Sequence, residues 1–182
     1  MKRRTQQRGY SFVEVLVAIT ILLVGLVGPL TIASTGLKNA TFAREQNIAF
    51  FLAQEGIEAI IYLREEAGLA NVDDNSEPTW DWVSDIPSEC FDDSPCQVDV
   101  TTYTITECNP ISECDLTLYD TGTVRYRHGG GGEATPFRRM LYFENTDDST
   151  LRVRSIVEWT ASAYGTTEDV VLETFITDIY AD

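Results

Sequence analysis

The hydrophobic and polar positions along the chain fall into three regimes. Residues 15–37 carry no charged side chain, a run of 23. At about 1.5 Å rise per residue, a helix of that length reaches about 34 Å, enough to cross the roughly 30 Å hydrocarbon core of a bilayer. Pro29 interrupts the run, with Gly25 and Gly28 close by. In water a proline inside a helix kinks it at a cost of about 3 kcal/mol. In a membrane, neighbouring groups can satisfy the freed carbonyl. From Lys38 the period changes. Ala49, Leu52, Gly56, Ala59, Ile60, Leu63 and Ala67 recur at three-and-four spacing, while Lys38, Arg44, Glu45, Glu58, Arg64, Glu65 and Glu66 occupy the other sides. This is one face of a 3.6-residue helix. No proline lies between Thr31 and Pro78. The two stretches therefore predict one helix from Tyr10 to about Gly68, where a glycine suits the C-terminal cap. The apolar stripe of its second half reads as a core-facing surface.

The third regime has period two. Residues 68–96 come first, acidic and turn-rich, as a long surface connection with one short apolar piece at residues 80–83. Residues 97–107, rich in Val, Thr, Tyr and Ile, read as a strand. Residues 116–127 hold strand residues on both sides of Thr121-Gly122-Thr123, and Gly129 to Gly132 read as a mobile turn. Residues 137–144 form a further apolar-polar strand. Leu151, Val153, Val157 and Trp159 share one face of the next, with Arg152, Arg154 and Glu158 on the other. Residues 170–177 answer it across a turn at 164–167. Such runs joined by short turns indicate antiparallel hairpins with one wet face. Their dry face needs a cover, and the amphipathic helix is the available one. The predicted fold is α+β, a long N-terminal helix packed on a four-to-five-stranded antiparallel sheet.

Composition narrows the function classes. The 182 residues allow one soluble domain beyond the apolar run. The formal charge of −16 favours solubility and argues against nucleic acid as a partner of the folded domain. The run Asp73-Asp74-Asn75 offers oxygen ligands for calcium, but its spacing does not match a twelve-residue EF-hand loop, and a solvated loop is the reading taken; no other cofactor is expected. Cys90, Cys96, Cys108 and Cys114 are an even set confined to the C-terminal part, which suggests disulfides. Three pairings exist. The local one, Cys90 with Cys96 and Cys108 with Cys114, closes small loops at strand ends; a nested one clamps two chain segments. Zinc is disfavoured by the spacing and by the distance of the single histidine, His128, which reads as a surface residue. The four glycines after it are followed by no Lys-Ser/Thr pair, so no phosphate cradle is expected. The chain holds no GxSxG, no HExxH and no Walker loop, so no enzyme is expected.

The N-terminus carries the most specific signal. Lys2, Arg3, Arg4 and Arg8 precede Gly9 without an acid, so the positive-inside rule keeps Met1 cytoplasmic. The apolar run is long for a signal peptide and lacks a clear small-residue cleavage site. A single acid, Glu14, stands at its start, and a carboxylate in an apolar helix costs a few kcal/mol unless a partner meets it. Arg8-Gly9-Tyr10-Ser11-Phe12-Val13-Glu14-Val15-Leu16 resembles the N-terminal signature of type IV pilins and pseudopilins. The resemblance implies that a prepilin peptidase cuts between Gly9 and Tyr10 and that the new N-terminal Tyr10 is N-methylated. It also implies that Glu14 neutralises the terminal amine of a neighbouring subunit. Tyr10 departs from the more usual Phe. Loss of the four leader cations would take the formal charge from −16 to −20.

Residues 151–177 are more loosely similar to the C-terminal strands of PilV-like minor pilins. The expected organisation is a cleaved leader (1–9), a transmembrane and filament-core helix (10–37), an amphipathic helix (38–68) and an extracytoplasmic disulfide-containing β-rich domain (69–182). The expected function is a minor-pilin-like structural subunit of a type IV pilus, a single-pass membrane protein drawn into a surface filament. Its expected partners are the peptidase, other pilins and the membrane assembly platform. Two alternatives stay open: a pseudopilin of a type II secretion system, and a membrane-tethered extracytoplasmic binding or sensing domain.

Overall fold

The computed structural model describes residues 11–73, 81–91, 93–120, 124–129, 131–147 and 149–177. The chain divides into two compact units, Met1–Thr41 and Phe42–Asp182. One helix, α1, runs Phe12–Asp73 and contributes to both.

In the first unit every described residue except Ser11 belongs to α1, and residues 11–40 are exposed on all sides. The first turn closes on Ser11, whose carbonyl accepts from the N–H of Glu14 (3.0 Å) and of Val15 (3.2 Å). Helical geometry continues through Pro29. The hydroxyls of Thr20, Thr31 and Ser34 donate back to the carbonyls of Val17, Val27 and Thr31. A hydroxyl satisfied within its own helix can sit in an apolar medium without an outside partner.

The second unit packs the rest of α1 on an antiparallel sheet. The strands are β1 (Cys96–Asp99), β2 (Thr104–Glu107), β3 (Asp115–Asp120), β4 (Val124–His128), β5 (Glu133–Asp147), β6 (Thr150–Thr160) and β7 (Thr167–Thr177). β5 is the central strand. β6 pairs along it, from Phe137 opposite Trp159 to Asp147 opposite Thr150. On its other side β3 takes the first half and β1 meets it at Leu141. β7 continues from β6, β4 from β3 and β2 from β1. β6 alternates cleanly, with Leu151, Val153, Ser155, Val157 and Trp159 buried. Opposite them the helix buries Ala49, Leu52, Ala53, Ile57, Ala59 and Ile60.

Three boundaries differ from the sequence reading. The helix passes Gly68 and ends at Asp73. An interior glycine costs only about 1 kcal/mol, and Gly68 does not adopt the positive φ of a C-terminal cap. Among the described residues the sheet has seven strands rather than four or five. The increase comes mainly from residues 97–107, which form a hairpin, β1 and β2, instead of one strand. There the Asp99 carboxylate accepts from the N–H of Thr101 (2.7 Å) and Thr102 (3.3 Å), folding the chain back on itself. β5 also extends well beyond residues 137–144 at both ends.

The cysteines pair locally, Cys90 with Cys96 and Cys108 with Cys114. The first bridge joins the core under α1, with Ile57, Ile60 and Phe143. The second covers Met140 on the opposite face of the sheet. Val83 packs against the core from the connection, while Trp80 lies outside the described residues.

Candidate functional site

The motif residues sit at the start of α1. Glu14 occupies its first turn, and Gly9 and Tyr10 lie outside the described residues. After Glu14 the helix is apolar all round as far as Leu37, with Val15, Leu16, Val17, Ile19, Leu22 and Leu23 each about half exposed or more. By length and composition it suffices to cross a membrane. A helix that is hydrophobic on every side needs lipid or other apolar helices around it. Glu14 is the one ionisable group in that stretch, so the same surroundings require a partner for its charge.

The second half of α1 is fixed to the sheet by groups that polar-apolar reading did not find. Arg139, on β5, is wholly buried beneath the helix. Its Nη1 donates to the Leu52 carbonyl (3.2 Å) and to Glu55 Oε2 (2.7 Å), both on α1. Its Nη2 donates to the Val98 carbonyl of β1 (3.2 Å) and lies 3.4 Å from His128 Nε2. Arginine only donates, so Nε2 is the acceptor and the histidine carries its proton on Nδ1. Burial lowers the Arg139 pKa from its ordinary value, and the Glu55 carboxylate pulls it back up. The signal was present in the sequence. Phe137, Arg139, Leu141 and Phe143 share parity on one strand, so a buried face for the three apolar residues forces the arginine inward.

His128 is correspondingly buried rather than on the surface, which corrects the sequence reading. Burial first, and the Arg139 charge second, lower its pKa to about 3. Gly56 marks the closest approach of helix and sheet. A Cβ there would lie 2.8 Å from Ser155 Oγ and 3.2 Å from Arg139 Cδ. At the helix's entry to this unit, Phe42 packs on Trp159 and Tyr164, with ring centroids 6.3 and 5.8 Å away. Glu45 accepts from the Ser162 N–H (3.1 Å) and from its hydroxyl.

No group of three His, Cys, Asp or Glu is placed to hold a metal among the described residues. Of the run proposed for calcium, Asp74 and Asn75 lie outside them.

Residues 4–28 match a family model described as the prokaryotic N-terminal methylation motif. Comparison with curated proteins and with solved structures found no match. The matched stretch contains Gly9, Tyr10 and Glu14 and the first part of the apolar run. The family it defines is structural rather than catalytic. Taken with the apolar helix that follows it, the motif supports a membrane-anchored protein similar to the type IV pilins and pseudopilins that prepilin peptidases process.

Proposed function

We propose that the chain is a minor-pilin-like structural subunit of a type IV pilus. It inserts with Met1 on the cytoplasmic side, is cut after Gly9 and is methylated on the amine of Tyr10. It then enters a filament whose core is built from helices like residues 15–37. The observation that carries this reading is the coincidence of the methylation motif at residues 4–28 with an uncharged, exposed run at residues 15–37 of α1, preceded by a lone Glu14 in the first turn. Among apolar helices an unpaired carboxylate is costly, and a terminal amine of the next subunit supplies its counter-charge.

The intact mass and N-terminal sequence of the protein from its native cells test the reading. The expected product begins at Tyr10 with one added methyl group, and Gly9→Leu leaves the leader attached. A chain that still begins at Met1 in cells with active peptidase overturns it in favour of a simple membrane tether. Recovery in sheared surface filaments is expected of a pilus subunit. Retention of the processed protein in the cell envelope favours the secretion pseudopilin instead.

A further inference from the structure

A cleft of about 510 Å³ opens between α1, the turn joining β1 to β2, and the edge strand β4. Glu58 and Tyr62 line it from the helix, Val100 and Tyr103 from the turn, and Arg125 and Tyr126 from β4. Its size falls within the range of small-molecule sites. The aromatic rings are held in place. Tyr62 and Tyr103 stack, with centroids 4.2 Å apart and planes 29° from parallel. Tyr126 is braced edge-on against Phe137 at 5.9 Å.

Tyr103 is kept at φ +54°, a left-handed conformation that an aromatic L-residue rarely adopts. Its N–H donates to the Asp99 carbonyl (2.6 Å), and the Asp99 carboxylate secures the two residues before it. Backbone held in such a region by its surroundings is concentrated at ligand clamps and active sites. The tightness of the turn does not itself need a bulky ring at this position; the contact with Tyr62 does.

The charges select the ligand class. Glu55 borders the cleft, but its carboxylate is engaged by Arg139. Glu58 and Arg125 remain, one acid and one base, both exposed; Glu58 Oε1 accepts from the Gln54 side-chain amide (2.7 Å), which leaves Oε2 for a ligand. Arg125 opposes a cation that the tyrosine faces would otherwise attract. Glu58 opposes an anion. A neutral molecule with an apolar face and several hydroxyls satisfies all of these groups. Its C–H face lies on a tyrosine ring, and its hydroxyls donate to Glu58 and accept from Arg125.

We propose that this cleft binds a neutral saccharide ring. The proposal goes beyond the filament reading and does not depend on it, so the failure of either leaves the other standing. The test uses the full chain, purified in a detergent without a sugar headgroup. Maltose, cellobiose and lactose are titrated calorimetrically, and immobilised neutral glycans are screened in parallel; tetramethylammonium and inorganic phosphate serve as charged probes. Saturable binding of a neutral saccharide is expected, weakened at least about tenfold by Tyr62→Ala and by Arg125→Ala. Thermal unfolding followed by circular dichroism establishes that each variant is folded, and Arg125→Ala, an exposed position, serves alone if Tyr62→Ala is not. Binding of the free disaccharides points to a soluble sugar as the source, and binding of immobilised glycans alone to a surface polysaccharide. Absence of saccharide binding in both formats overturns the proposal. So does binding undiminished in the variants, or a preference for the ammonium or the phosphate.

Discussion

A guanidinium under a helix is costly unless its donors find acceptors; the two Nη groups of Arg139 meet two carbonyls, a carboxylate and an imidazole nitrogen, while Nε finds no partner among the described residues. Its neighbour His128 is the group whose titration reports on this arrangement. The folded pKa lies near 3, below the ordinary 6.5, so only the unfolded chain takes up the proton between those values. The contribution is fully present above about pH 6.5 and is lost progressively as pH falls towards 3. Between pH 7 and pH 5 it amounts to about 2 kcal/mol, from a slope of about 1.4 kcal/mol per pH unit. We expect urea unfolding of the wild type to lose that amount over this interval beyond whatever His128→Gln loses. Equal pH slopes in the two proteins would place the imidazole in water. Arg139 was legible from strand parity, as set out above. His128 was not, because its burial depends on partners distant in sequence: Arg139 on β5 and the backbone of Glu113 and Cys114 beside it.

At the scale of elements, period governed what could be read. The helix, β5, β6 and β7 follow strong 3.6- or two-residue patterns over many turns or pairs, and their faces were visible in the chain. The β1–β2 hairpin was not, since two four-residue strands leave little pattern and Tyr103 is not a residue type that announces a left-handed turn. The amphipathic stripe also did not reveal how closely the helix approaches the sheet at Gly56. Replacing it by alanine gains about 1 kcal/mol of helix propensity. It also forces a Cβ to 2.8 Å from Ser155 Oγ, an overpacking that typically costs about 1–3 kcal/mol. We expect Gly56→Ala to lower stability by about 1 kcal/mol net in chemical denaturation. The Ser155 hydroxyl is buried without a hydrogen-bond partner among the described residues, so the position calls for a small side chain. Ser155→Ala should therefore restore part of the loss, and strict additivity of the two changes would show that the contact does not limit the packing.

For the molecule as a whole, charge is segregated along the chain. The uncharged helix precedes an acidic domain, and Glu14 stands alone at the head of the apolar run. If Glu14 meets a neighbour's amine in the filament, removing it leaves that amine buried and unpaired, a loss on the order of 3 kcal/mol. We expect Glu14→Ala to insert and be cut normally while its content in sheared filaments falls about a hundredfold relative to the membrane fraction. Unchanged filament content would take Glu14 out of assembly. The apolar run and the parity of the strands were legible because each is local, whereas the attachment of helix to sheet joins residues more than eighty positions apart. Both cystines, by contrast, bridge residues six apart, and neither includes a residue of α1. A pull along the helix axis therefore passes into the sheet by shear across side-chain packing, the Arg139 bonds and the Glu45–Ser162 bonds, with no cystine joining α1 to a strand. Reductant should soften the loop closed by Cys108 and Cys114 without reaching the rod, whereas opening Cys90–Cys96, which shares a core with Ile57 and Ile60, should loosen the grip between rod and sheet as well.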